Sequence, residues 1–290
     1  MRTRHSRLVM FVGFAKHKNK DVYVVTEYLG GGDLSQRIWC KNTKKTVPSW
    51  SERIRWLNDI AEGLTYVVIV ERSDSKHKCT HTNIRYLHYV HKSVHRDVKS
   101  PNVLLTDRST SSRAKLGDFN LAKIVTGGKK RIPSTDTKKL NLSKKDRQAM
   151  WARRLTTEVG TPAWMAPELM HTSSEYGPAV DVYSFGIVMW ECLELTVPWR
   201  EFHETSMIFE VVLSGRRPGI SQSSVENAPQ KYIELMKQCL DHDPKKRPPI
   251  GQVHTALKND VIERNVIERN NTTSKPPSVM ELGDFSESEE

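Results

Sequence analysis

Apolar positions along this chain recur in three patterns, and each predicts a different element. Between Ser49 and Tyr66, Ile54, Leu57, Ile60, Ala61 and Leu64 return at the three- and four-residue steps of one helical face. Ser49-x-x-Glu52 just ahead of them has the capping-box pattern, so the helix is predicted to start there. Val22-Tyr23-Val24-Val25 is instead an unbroken β-rich run that stops at Gly30-Gly31-Gly32, and core packing is the ordinary role for its apolar side chains. Strands are expected near residues 8–14 and 22–28. In a third run Val182, Phe185, Ile187, Val188, Met189 and Trp190 surround Asp181 with apolar surface, the mark of a buried helix. Past residue 258 the tandem Val261-Ile262-Glu263-Arg264-Asn265 and Val266-Ile267-Glu268-Arg269-Asn270 extends helical character. Ser274–Ser278 and Ser286–Glu290 read as disordered.

Composition narrows the class without naming a function. With 290 residues, 37% of them hydrophobic, the chain can bury the core of one large domain and still carry a tail. No apolar run approaches the roughly 20 residues of a membrane helix. Cys40, Cys79, Cys192 and Cys239 are widely spaced and no signal peptide precedes them, so a reduced, cytoplasmic chain without disulfides is expected. The net charge of +11 comes partly from one segment, Gly127 to Arg154. There Lys129, Lys130, Arg131, Lys138, Lys139, Lys144, Lys145, Arg147, Arg153 and Arg154 face only Asp136 and Asp146. A solvated basic loop is the plain reading, with an acidic partner as its functional one. Nucleic-acid binding would rest on charge alone and is not expected.

Chemistry concentrates in His95-Arg96-Asp97-Val98-Lys99-Ser100-Pro101-Asn102. Asn102 follows Asp97 by five places, Asp118-Phe119 comes sixteen residues later, and Ala166-Pro167-Glu168 follows. Phosphoryl transfer is mostly positioning and electrostatic stabilisation, so it needs these residue types in this order. One carboxylate, Asp97, stands near an acceptor hydroxyl. Lys99 brings a cation to the transferred phosphate, while Asn102 and Asp118 supply oxygen ligands for Mg²⁺. A bland reading makes Asp97 and Arg96 an exposed ion pair and Asp118 a turn residue, but such features require no fixed spacing.

From about residue 5 to about 258 the chain resembles a eukaryotic protein kinase domain, specifically the tyrosine-kinase-like group that includes the Raf and mixed-lineage kinases. The pointers are His5-Ser6-Arg7-Leu8-Val9, Val25-Thr26-Glu27-Tyr28-Leu29, Gly160-Thr161-Pro162-Ala163-Trp164-Met165-Ala166-Pro167-Glu168 and Asp181-Val182-Tyr183-Ser184-Phe185-Gly186. The resemblance implies an α+β fold, a small β lobe on a mainly helical large lobe, and ATP-dependent phosphorylation of Ser or Thr on protein substrates. Lys99 two places after Asp97 resembles the Ser/Thr class, and Thr161 resembles the residue that bonds the catalytic Asp and Lys. Thr26 resembles the gatekeeper, the backbone groups of Glu27 and Leu29 the adenine hinge, and Leu104 the apolar residue beneath the ring, with Asp33 counted among the nucleotide-binding residues. Asp181 resembles the carboxylate that holds catalytic-loop amides, and Glu168 the ion-pair partner of Arg247.

Four departures from the family pattern stand out. The Gly-rich phosphate loop, the strand Lys and its helix Glu would lie upstream of the segment where the chain begins, so the small lobe reads as truncated. On that ground a fragment, or a catalytically impaired scaffold that acts by binding proteins, is the alternative expectation. Asn120 replaces the Gly of Asp-Phe-Gly, and Asn tolerates positive φ better than most residues. Val67 to Tyr86 interrupts the reading Gly-Leu-Thr-Tyr-Leu-His. Its His77, Cys79 and His81 lack a second ligand cluster at zinc spacing. Finally, residues 127–154 lengthen the activation segment, in which Thr156 and Thr157 resemble phosphorylated positions, with Ser134 and Thr135 weaker candidates and Arg96 the phosphate's expected receiver. The domain is thus expected over 1–258, with a tail over 259–290.

Overall fold

The computed structural model describes residues 5–16, 22–39, 46–67, 92–118, 123–125, 161–170, 176–202 and 212–259. Its first two strands, β1 (Phe11–Lys16) and β2 (Val22–Thr26), pair antiparallel with an irregularity between Phe11 and Gly13. β1 is displaced from its predicted bounds, whereas β2 begins at its predicted residue and stops two residues early. The residues expected to open β1 belong to another partner: Val9 N–H donates to Leu116 O at 2.9 Å and Leu116 N–H to Arg7 O at 2.8 Å. The core role expected for the β2 side chains is also corrected, because Tyr23, Val24 and Val25 are exposed, as is Phe14 at 71%. Among the described residues no second layer covers either face of this hairpin.

Helix α1 (Leu34–Ile38) starts where Asp33 Oδ1 accepts the Gln36 N–H at 2.9 Å. Before it, Gly31 and Gly32 lie against the strand that carries Leu105: Gly31 N–H donates to Leu105 O at 3.0 Å, and Leu105 N–H to Gly32 O at 2.9 Å. Helix α2 (Trp50–Val67) opens on the predicted capping box, with Ser49 N–H to Glu52 Oε2 at 2.8 Å and Glu52 N–H to Ser49 Oγ at 3.3 Å. All five residues of the predicted face, Ile54, Leu57, Ile60, Ala61 and Leu64, are buried.

Strands β3 (Lys92–Val94) and β6 (Lys123–Val125) pair antiparallel, as do β4 (Val103–Leu105) and β5 (Ala114–Leu116). Short helix α3 (Pro167–Met170) precedes α4 (Ala179–Glu194), which is buried from Val180 to Leu193 and forms the axis of the large lobe. Helices α5 (Gln222–Asn227), α6 (Gln230–Cys239) and α7 (Ile250–Lys258) complete it, α6 against α4 and α7 against α2. Asp59 on α2, with no exposed surface, accepts from Arg113 Nε at 2.8 Å and Ala114 N–H at 3.0 Å, and pairs with Arg7 Nε at 3.0 Å. One buried carboxylate thereby ties the N-terminal segment and β5 to the main helix. The fold is α+β, with helices dominating the large lobe.

Candidate active site

The loop from His95 to Asn102 runs between β3 and β4 and is held from below by α4. Asp181 accepts the backbone N–H of His95 at 2.7 Å and of Arg96 at 2.8 Å. Burial pushes the Asp181 carboxyl up to about 6, against the pull of those two amides. Arg96 takes φ 68, a left-handed turn that lets the chain change direction after His95. His95 accepts the Asp97 N–H on Nδ1 at 3.3 Å, so its Nε2 carries the proton donated to Gly117 O at 3.0 Å. Burial drives this imidazole down to about 4, and it stays neutral around pH 7.

Three donors converge on Asp97. Lys99 Nζ lies 2.8 Å from its Oδ2, Asn102 Nδ2 donates to the same oxygen at 2.8 Å, and Thr161 Oγ1 donates to Oδ1 at 3.2 Å. Lys99 Nζ also donates to Thr161 Oγ1 at 2.6 Å. The expected Asp, Lys and Thr association is therefore present in the geometry. Asp97 is 8% exposed, which lowers the local dielectric around this carboxylate and strengthens its interactions.

Asn102 and Asp118 flank one end of the β4 and β5 hairpin. The register pairs Val103 with Leu116, and Gly117 N–H donates to Asn102 O at 2.9 Å, which sets Asn102 beside the residue preceding Asp118. Asn102 Nδ2 is spent on the Asp97 carbonyl at 2.9 Å as well as its carboxylate, leaving Oδ1 as the remaining acceptor of that amide. Asp118 is exposed at φ 55. An amide oxygen and a carboxylate at one hairpin end are hard donors of the kind Mg²⁺ prefers, so the residues fit that ion. Phe119 and Asn120 lie outside the described residues.

The nucleotide positions are brought together less completely. Leu104 on β4 bridges to Asp33, and Thr26, exposed, ends β2. The Glu27 N–H is already given to Met10 O at 2.9 Å, and its carbonyl accepts the Thr26 hydroxyl at 3.3 Å, which leaves one lone pair of that oxygen as its remaining backbone acceptor. Its side chain binds Lys115 Nζ at 2.8 Å through both oxygens and takes the Met10 N–H at 2.7 Å. Those donors hold the Glu27 carboxyl below its usual range, against the desolvation that raises it. Leu29 makes no backbone hydrogen bond among the described residues. Asp33 spends its carboxylate on the start of α1, receiving Gln36 N–H, Gln36 Nε2 and Ser35 Oγ. Arg96 Nη1 donates to Tyr176 Oη at 3.1 Å, and its expected phosphate donors Thr156 and Thr157, like the basic run 127–154 and His77, Cys79 and His81, lie outside the described residues.

Two acidic residues near the site escaped the reading of the sequence. Asp59 follows Asn58 on the polar side of the α2 pattern, while Glu191 was hidden by apolar neighbours. A carboxyl inside a wholly apolar helical run, as in Met189-Trp190-Glu191-Cys192-Leu193, must find partners or stay neutral, and that requirement is the signal that could have found Glu191. Ser100 Oγ donates to Glu191 Oε1 at 2.6 Å, and Trp164 Nε1 to Oε2 at 2.7 Å.

Comparison with known proteins gives the same direction as the geometry. A serine/threonine-protein kinase/receptor of Acanthamoeba polyphaga mimivirus is 31% identical over 261 residues, covering 89% of this chain and 12% of its own length. A serine/threonine-protein kinase of Dictyostelium discoideum is 29% identical over 256 residues, 88% of this chain and 33% of its own. The mitogen-activated protein kinase kinase kinase zak-1 of Caenorhabditis elegans is 28% identical over 261 residues, 88% and 28% respectively. The chain thus spans a third or less of the length of these curated relatives. Among the described residues no helix is long and apolar enough to cross a membrane. The family model for the protein kinase domain matches residues 1–259, and with the Asp97, Lys99, Thr161 and Asn102 constellation in place the chain belongs to the protein kinase family.

Proposed function

We propose that this chain transfers the γ-phosphoryl group of ATP to Ser or Thr hydroxyls of protein substrates, as a signalling kinase of the tyrosine-kinase-like group. The observation that carries the reading is the Asp97 carboxylate held by Lys99, Asn102 and Thr161 within 3.2 Å. In that setting Asp97 orients the acceptor hydroxyl and takes its proton as the new O–P bond forms and the bond to the ADP leaving group breaks. Lys99 lies beside the path of the phosphoryl group and offsets its charge. Asn102 and Asp118 would hold Mg²⁺, which supplies neutralisation of phosphate charge when bound. The Glu27 carbonyl and the Leu29 backbone groups face adenine, with Thr26 at the rear of that pocket and Leu104 beneath the ring. Asp33 contributes any acceptor capacity its capping role leaves.

In this proposal the kinase domain covers residues 1–258, with inserts near 67–86 and 127–154, and 259–290 form a tail. A cytoplasmic setting agrees with Cys192 and Cys239, which are buried free thiols raised by burial, Cys239 to about 12. The test is calorimetry of Mg²⁺-dependent ATP binding on the whole chain and its Asp118→Ala and Asp97→Asn variants, with radiolabel transfer to a generic Ser/Thr substrate. Transfer by the wild type, binding lost with Asp118→Ala, and binding kept but transfer lost with Asp97→Asn are the expected results. An absence of binding and transfer in the wild type would overturn it.

A further inference from the structure

The turn between β4 and β5 carries chemistry that the phosphoryl-transfer site does not use. Thr106-Asp107-Arg108-Ser109-Thr110-Ser111-Ser112-Arg113 joins the two strands, and residues 107–111 are all exposed. Ser109, Thr110 and Ser111 thus offer hydroxyls to solvent. Asp107 organises the turn, its carboxylate taking the Ser109 N–H at 2.8 Å, the Thr106 hydroxyl at 2.8 Å and the Ser109 hydroxyl. Ser109 Oγ lies 2.9 Å from Ser111 Oγ, and because its own hydrogen goes to Asp107 it accepts from Ser111. A cation meets the same turn from α2. Arg55, half-buried, donates from Nε to Ser112 O at 3.2 Å and from Nη2 to Thr110 O, the carbonyls of the residues on either side of Ser111. Carbonyls are neutral, and among the described residues no carboxylate accepts from this guanidinium. Arg113, by contrast, is spent on the buried carboxylate of Asp59.

We infer that Ser111 is a phosphorylation site and that Arg55 receives its phosphate. The choice among the three hydroxyls follows from charge. A phosphate on Ser109 would stand against the Asp107 carboxylate and remove one of its donors, whereas Ser111 gives up only its bond to Ser109, whose hydroxyl stands between it and Asp107. Ser111 is also the residue bracketed by the two Arg55 contacts. In the modification the Ser111 oxygen bonds to the γ-phosphorus of ATP, the bond from that phosphorus to the ADP oxygen breaks, and the hydroxyl proton passes to the modifying enzyme. That enzyme is a Ser/Thr kinase with an acidic substrate cleft, which suits Arg108 three places before Ser111 and Arg113 two places after it. The acceptor chemistry is independent of whether this chain itself transfers phosphate. The resulting dianion finds in Arg55 a planar fork of donors. Because Gly31 N–H donates to Leu105 O and a Cβ on Gly31 would collide with Asp107 O, a tighter turn also steadies the segment after Leu29.

The experiment has two arms. Mass spectrometry of the whole chain expressed in eukaryotic cells should find phosphate on Ser111 and lose that signal in Ser111→Ala. An unmodified Ser111, or phosphate on Ser109 or Thr110 in its place, would overturn the assignment of the acceptor. The second arm compares unmodified chain with chain carrying genetically encoded phosphoserine at position 111, each also as Arg55→Gln. Phosphoserine should raise the midpoint of thermal unfolding by about 2 to 4 °C, and amide exchange should slow at Gly31 and through Leu105–Arg113. Its phosphorus resonance should titrate below the usual value of about 6 by at least ~0.5, because the guanidinium favours the dianion. All three effects should vanish in Arg55→Gln. Their absence in the wild type, or equal size in both backgrounds, would overturn the role of Arg55. Should Arg55→Gln not fold, the phosphorus titration of the wild type decides alone, and an ordinary value there overturns the inference.

Discussion

Lys99 Nζ donates to Thr161 Oγ1 at 2.6 Å across a sequence separation of 62 residues. The contact is more than a surface pairing, since the same hydroxyl donates to Asp97 at 3.2 Å and the same ammonium approaches Asp97 at 2.8 Å. A single small hydroxyl therefore aligns a cation and a carboxylate that belong to one loop. Neither Lys99 nor Thr161 is fully buried, so the triangle stands within reach of solvent.

Thr161→Ala removes that hydroxyl and leaves Asp97 with two of its donors. Misalignment rather than unfolding should follow, with kcat lower by about 10- to 100-fold and stability changed by less than about 1 kcal/mol. Thr161→Ser keeps the hydroxyl and should retain most of the activity. Phosphotransfer kinetics beside urea denaturation separate the two effects, and a Ser variant as poor as Ala would refute the hydroxyl's role.

Arg247 offers a prediction on stability alone. Its Nη1 and Nη2 meet Glu168 Oε1 and Oε2 at 2.7 and 2.8 Å, while its guanidinium also donates to the carbonyls of Ala179 and Asp241 at 2.8 Å. Removing the cation strands a buried carboxylate and several carbonyls. Arg247→Leu should cost about 3 to 5 kcal/mol in denaturant unfolding, and Glu168→Gln in the same background should recover part of that loss.

The Gly30-Gly31-Gly32 run, directly after Leu29, could be mistaken for a phosphate loop, but its role here is packing. A Cβ on Gly31 would lie 2.6 Å from Leu105 O and collide with Asp107 O, whereas one on Gly30 would meet its nearest atoms at 3.9 Å or more. Gly31→Ala should thus lower the midpoint of thermal unfolding clearly while Gly30→Ala leaves it nearly unchanged. Equal effects at the two positions would contradict this account.

Parts of this geometry were legible because they depend on local spacing. The α2 face from Ile54 to Leu64 and the Ser49 and Glu52 cap follow from helical periodicity, and each appears where the pattern requires. The loop residues Asp97, Lys99 and Asn102 were found by order along the chain. The bounds of β1 were not, because Val9 could pair with β2 or with β5 and only tertiary competition decides. For the same reason Asp33 reads as a nucleotide residue or as a helix cap until the start of α1 is known. Glu191 was lost inside an apolar run, where periodicity registers the helix and says nothing about which side chain needs a distant partner.

That overlooked carboxyl also predicts how stability responds to pH. Its ordinary value of 4.5 is raised by burial to about 8, so the folded state holds a proton that the unfolded chain has released over most of that interval. Folding is then favoured below about pH 4.5 by the full effect of this group, and the advantage declines as pH rises toward 8, by at most ~1.4 kcal/mol per pH unit for one proton. Other groups oppose or reinforce it. His95, driven down from 6.5 to about 4, contributes stability above pH 6.5 that is lost as pH falls through 4. Asp181, raised from 3.8 to about 6, acts in the same sense as Glu191 but is spent above pH 6. The interval between pH 6.5 and 8 therefore belongs chiefly to Glu191. Chemical denaturation of the wild type across that interval should show stability falling with pH, and Glu191→Gln, which cannot ionise, should flatten the profile. Parallel slopes in the two proteins would mean that another group governs the decline.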